Sequence, residues 1–75
     1  MPDISAINRF IQEQLRKKGL YEVTAVEAAR WLDSAGLLKD SKSHSGLRLR
    51  NLLRDKLIDG QRQEPNKRWF IDRVD

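Results

Sequence analysis

Residues 24–36 read TAVEAARWLDSAG. The stretch opens on Thr24-Ala25-Val26-Glu27, a capping box. The Thr24 hydroxyl can accept from the Glu27 backbone N–H while the Glu27 carboxylate reaches back to Thr24. A helix is expected from there to about Ala35, with Gly36 as its left-handed stop. Ala28, Ala29, Leu32 and Ala35 make a narrow face of small side chains, against which a second helix can pack closely.

Upstream, Ile4, Ile7, Ile11 and Leu15 recur at helical spacing, with Phe10 at the stripe's edge. They predict a helix from Ile4 to Lys18. Asp3 is its N-cap, and Lys17 and Lys18 suit the negative end of the helix dipole. Gly19 is its stop, with Leu20 folding back as the apolar contact. Tyr21-Glu22-Val23 is a short extended piece that needs a sheet to join.

Downstream, Leu37 to Ser45 reads as a loop. A third helix is expected from about His44 or Gly46 to Lys56, with Leu49, Leu52, Leu53 and Leu57 inward. Ser43 is the first choice for its N-cap and Ser45 the second. Ile58 to Gln63 and Arg68 to Arg73 read as strands around the turn formers Glu64-Pro65-Asn66-Lys67. Trp69 and Ile71 alternate with Phe70 and Asp72, so the chain closes on a hairpin that takes residues 21–23 as a third strand. The fold class is α+β, in a single domain over residues 1–75.

Composition narrows the function. There is no cysteine, which removes disulfides and thiolate metal sites and fits a reducing cytoplasm. The N-terminus MPDISAINRF is not a signal peptide, and no apolar run nears the roughly 20 residues of a membrane span, so a cytoplasmic protein without a membrane partner is expected. Net charge is +4, and it is uneven. Residues 1–38 hold five basic and five acidic side chains, and residues 39–75 hold ten and six. The excess positive charge lies in the C-terminal half, which suits a polyanion.

Three stretches, VTAVEAARWL, GLRLRNLLRDKLIDGQ and RWFIDRV, carry a family likeness. Together they resemble the excisionase-like and MerR-like winged helix-turn-helix group. The shared features are the Thr24 cap, Glu27-Ala28-Ala29, the Leu- and Arg-rich segment from Leu49 to Leu53 with Arg50 and Arg54, and Arg68-Trp69-Phe70-Ile71. The resemblance covers about residues 22–74. It implies a non-enzymatic protein that binds double-stranded DNA, as a transcription regulator, a recombination accessory factor or a module of a larger enzyme. The element order is that of a winged helix, with the hairpin as wing. Two features depart from the group: the longer loop GLLKDSKSHS and the full first helix.

The third helix can be read on a wheel. With its leucines inward, His44, Leu47, Arg48, Asn51 and Arg54 face out. His44, Arg48 and Asn51 are the expected base readers, since Arg pairs with guanine and Asn with adenine in the major groove. Arg50 and Arg54 flank them and suit phosphates, and Leu47 suits a thymine methyl or the longer loop. Ser41, Lys42 and Ser43 suit a phosphate or a plain helix cap. Arg62, Lys67 and Arg68 would put the wing on phosphates or in a narrow minor groove; the alternative is a charged edge that deters aggregation. Trp31 and Trp69 are expected as core or core-edge anchors.

No catalytic constellation, metal site or cofactor motif is present in the sequence. His44 is the only histidine, and Asp55 with Asp59 reads as a solvated helix end. A homodimer or a larger protein–DNA assembly is compatible with the reading. The rival function is a winged-helix protein–protein interaction module, which Leu47 and Phe10 would favour if they form one apolar patch.

Overall fold

The computed structural model describes residues 3–39 and 46–74. In order these form α1 (Ile4–Lys17), β1 (Glu22–Thr24), α2 (Ala25–Ala35), α3 (Leu47–Arg54), β2 (Gln61–Gln63) and β3 (Trp69–Asp72). The described residues thus make an α+β fold of three helices and one antiparallel sheet of order β1-β3-β2. None of these helices is long and apolar enough to cross a membrane.

The first two helices have the ends their sequences encode. The Asp3 carboxylate accepts from Ala6 N–H at 3.1 Å, and the Thr24 hydroxyl accepts from Glu27 N–H at 3.3 Å. Glu27 does not close the expected reciprocal bond among the described contacts; its carboxylate lies 3.5 Å from Arg30 one turn on. After α1, Leu20 N–H returns to Leu15 C=O at 2.9 Å across Gly19. After α2, Leu37 N–H returns to Leu32 C=O at 3.0 Å across Gly36. Both glycines take positive φ, the conformation that closes such a stop at least cost.

The core lies between the helices and one face of the sheet. Ile7, Ile11 and Leu15 of α1 meet Ala28, Ala29 and Leu32 of α2, Leu49 and Leu53 of α3, and Val23 and Ile71 of the sheet. Ala35, expected on the small-residue face, is exposed instead, because α2 ends there and the chain turns away. Trp31 and Trp69 are half-buried and pack on the core's edge, as their size and single polar atom favour.

Helix α3 is shorter than its leucine pattern suggests. Gly46 precedes it at φ +78°, with no side-chain cap, so neither Ser43 nor Ser45 is its N-cap. Gly46 is buried against the first turn of α2: a Cβ there would sit 3.5 Å from Val26 Cα. At the other end Lys56 adopts φ +60°, and Leu57 N–H returns to Leu52 C=O at 3.1 Å. That stop swings Leu57 outward and places Ile58 in the core, so the expected inward Leu57 is replaced by its neighbour.

Residues 58–60 are a turn rather than the start of a strand. Gly60 has φ +80°, and a Cβ on it would collide with the Asp72 carbonyl oxygen. Amide side chains hold this corner. Asn8 Nδ2 donates to Leu57 C=O at 3.0 Å, while its Oδ1 accepts from Asp59 N–H at 2.9 Å. Buried Gln12, one helical turn on, donates to Asp72 C=O at 3.0 Å and accepts from Val74 N–H at 3.0 Å. Gln61 Nε2 donates to Leu53 C=O at 2.6 Å. Three side-chain amides therefore pair main-chain groups at this corner, and Leu53 C=O also accepts from Lys56 N–H at 3.0 Å.

Candidate nucleic-acid interface

Helix α3, LRLRNLLR, contains three arginines and no acid. Leu49 and Leu53 are fully buried, which fixes the rotation of the helix and turns Arg48, Asn51 and Arg54 to solvent. Leu47 and Arg50 are half-buried at the sides. Arg48 is partly committed: its Nη1 donates to Lys39 C=O at 3.2 Å, tying the helix to the chain that follows α2. A guanidinium has five N–H donors, so this bond leaves most of its fork available. The expected contact residues Lys42, Ser43 and His44 lie outside the described residues, as do Ser41 and Ser45.

The hairpin turn is built from the residues its geometry requires. Pro65 and Asn66 occupy the middle of a turn in which Lys67 N–H donates to Glu64 C=O at 2.8 Å. The Asn66 side chain accepts from Arg68 N–H at 3.0 Å. Lys67 then adopts φ +67°, the left-handed residue of a three-residue hairpin loop. Lys67 and Arg68 are exposed, and neither joins an ion pair among the described residues.

Arg62 has a different job from the one its sequence position suggests. It faces Phe70 across the β2–β3 ladder, while Glu22 faces Asp72 across β1–β3. Alternation puts all four on the outer face of the sheet. The guanidinium grips Asp72 through two bonds of 3.0 and 3.2 Å, reaches Glu64 at 2.8 Å and Glu22 at 3.3 Å, and stacks 4.9 Å over Phe70. Hydrogen bonds that it donates to Asp72, then to Glu64, hold it in its charged form well above the ordinary arginine range. It is a cross-strand tie whose charge is met locally by three carboxylates, so it leaves the set of cations available to a polyanion.

With Arg62 removed, the remaining members of the expected set that are described divide between two elements. Arg48, Asn51 and Arg54 line the outward side of α3, with Leu47 and Arg50 beside them. Lys67 and Arg68 mark the hairpin. Of the helix group only Arg50 lines the groove of about 400 Å³ that faces the hairpin, whose other walls are the first turn of α2 and Lys67, Arg68 and Trp69. Sequence periodicity does not reveal that Arg50 lies opposite the hairpin, nor that Trp69 lines the same groove as Arg50, Lys67 and Arg68. The only signal was the adjacency of Lys67, Arg68 and Trp69, and nothing local placed Arg50 opposite them.

A second groove, between α1 and α2, is mainly apolar and includes Phe10 and Trp31, the latter under Lys18 Nζ at 5.6 Å. Leu47 is not among its lining residues, so Phe10 and Leu47 do not share that groove. Among the described residues no cluster of three His, Asp or Glu side chains could hold a metal ion. Comparison with protein-family models, with curated proteins and with solved structures finds no match to this chain.

Proposed function

We propose that the chain is a small winged helix-turn-helix module that binds double-stranded DNA without catalysing a reaction. In this reading α3 is the recognition helix and enters the major groove. The β2–β3 hairpin is the wing and lies on the neighbouring backbone. Arg48 and Asn51, near the start of α3, reach base edges, and Arg54, Lys67 and Arg68 meet phosphates. Such a module serves as a transcription regulator or a recombination accessory factor.

The observation that carries the reading is the sorting of charge. An acid-free α3 turns Arg48 and Arg54 outward, and Lys67 and Arg68 stand on the hairpin beside it. Meanwhile Glu22, Glu64 and Asp72 are gathered around Arg62 on the outer face of the sheet. A surface with like charges brought together is stabilised by a polyanion and destabilised without one.

The test is a mobility-shift titration against random duplex DNA at two salt concentrations. Affinity is expected to fall steeply as salt rises, with a log–log slope of several units, about 0.9 per phosphate contacted. Binding that is undetectable at low salt, or indifferent to salt, refutes the reading and favours protein docking instead.

A further inference from the structure

We propose that the groove between α1 and α2 docks an amphipathic helix of another protein, one that sets an acidic side chain against Lys18. This goes beyond the nucleic-acid reading and does not rest on it, because no residue of α3 or the hairpin is among the groove's lining residues.

The groove holds about 300 Å³ and is lined by Phe10, Gln14, Lys18, Trp31, Ser34 and Ala35. Phe10, Gln14 and Lys18 follow one another at four-residue intervals, so a single stripe of α1 forms one wall, roughly 12 Å or two turns long. Phe10 and Trp31 each pack against the core yet stay partly open to solvent. Covering half-exposed aromatic rings is a contact from which protein interfaces draw much of their affinity.

The walls decide the form of the occupant. Both are α-helices, whose main-chain groups are largely paired within the helix. An extended segment laid along them would find few main-chain partners. A helix needs none, and it presents apolar anchors at i, i+3 or i+4 and i+7, a spacing that fits a wall of two turns. Ser34 and Ala35 keep the α2 wall low, so the occupant's backbone can come close.

Charge decides its composition. Lys18 Nζ lies 5.6 Å from the centroid of the Trp31 ring, at the end of the groove where α1 finishes. Neither Lys18 nor its neighbour Lys17 joins an ion pair among the described residues. The acids nearest in sequence, Glu13, Glu27 and Asp33, are not among the lining residues. The complement is an apolar helix face with a carboxylate at one end. A second copy of this chain does not supply that face. The large apolar side chains most exposed among the described residues, Leu20, Tyr21, Leu57 and Val74, lie outside the helices, and Val26 stands alone on α2.

The test uses the full chain and displayed helical peptides of about 14 residues, four turns, randomised at anchor and flanking positions. Enriched peptides are synthesised and titrated. They are expected to carry apolar anchors at i, i+3 or i+4 and i+7 with Asp or Glu at one end. They should shift the Trp31 indole N–H saturably in proton–nitrogen correlation spectra and leave the Trp69 indole in place. Lys18→Glu, at an exposed position, should weaken binding about threefold to tenfold, and exchanging the peptide's acid for lysine should restore it. Ala35→Arg, also exposed, obstructs the groove and should abolish binding without touching the core.

Peptides enriched without acids overturn the proposal, as do peptides that hold the Lys18→Glu and Ala35→Arg chains as tightly as the parent. A selection that yields no binder, or binders that move Trp69 and leave Trp31 still, overturns it as well. A Trp31 resonance that shifts with protein concentration alone gives the groove to a second copy. One that responds to phosphatidylglycerol vesicles and to no peptide gives it to a membrane surface. Either result overturns the docked partner helix, and neither bears on duplex binding.

Discussion

Lys67 couples the hairpin's shape to its charge, and one substitution there is expected to move stability and affinity in opposite directions. Its φ of +67° lies in the left-handed region. An L-residue with a Cβ loses about 1–2 kcal/mol there, and glycine avoids that strain. Glycine in turn loses about 0.5–1 kcal/mol more backbone entropy on folding. The difference leaves Lys67→Gly more stable than the parent by about 0.5–1 kcal/mol. For a domain of this size that raises the melting temperature by about 2–8 °C. The same change deletes a hairpin cation, so the salt dependence of duplex binding should become shallower by about one unit. Lys67→Gln is the partner variant, since it removes the charge and keeps the strain. It should lose the same salt slope with no gain in stability. Urea unfolding and a salt series of binding titrations on the three proteins supply both readouts. A Lys67→Gly chain less stable than the parent refutes the turn geometry. A full salt slope in both variants refutes the hairpin's contact with DNA.

Other substitutions test the frame on which the candidate interface rests. Gly60→Ala introduces both left-handed strain and a collision with the Asp72 carbonyl, so it should cost about 2–4 kcal/mol by urea unfolding. Gly19→Ala, at a similar φ with nothing within 4 Å of its Cβ, should cost only about 1 kcal/mol; equal losses at the two sites contradict the close approach at Gly60. Gln12→Leu should destabilise by about 1–3 kcal/mol, because it strands Val74 N–H and Asp72 C=O, and a neutral result shows that water replaces the amide. Leu49→Ala should cost about 2–5 kcal/mol in thermal or urea melts, since Leu49 is fully buried in a thin core, and a loss below 1 kcal/mol would place that side chain at the surface.

Where local chemistry decides structure, the sequence could be read directly. Asp3 and Thr24 cap helices because their side chains reach the amide three residues on, a contact that needs no tertiary information. Gly19 and Gly36 stop helices for the same local reason. The apolar stripe of α1 and the period-two pattern of Trp69 to Asp72 found the right faces. Long-range chemistry was hidden. Asn8 and Gln12 look like ordinary polar residues of a helix until the chain returns some 50–60 residues later to present its main chain to them. Arg62 reads as a wing cation until β1 and β3 set Glu22 and Asp72 beside it. The leucine run suggested a longer α3, yet the left-handed stop at Lys56, a residue with no obvious preference for it, exchanged Leu57 for Ile58 in the core. The site was legible in part for the same reason: its helix face follows from periodicity, while the groove that joins Arg50 to the hairpin depends on tertiary packing.

In the proposed function, α3 reads DNA sequence. The most direct measurement is the affinity of the parent chain and Arg48→Ala for two duplexes at one salt concentration. One duplex carries a site selected from a random library by the parent, and the other has that site scrambled. Arg48 faces outward near the start of α3, with one of its donors held by Lys39 C=O. Arg48→Ala should lose about 1–3 kcal/mol on the selected site and much less on the scrambled one. A folded Arg48→Ala chain that holds both duplexes as the parent does would contradict the claim.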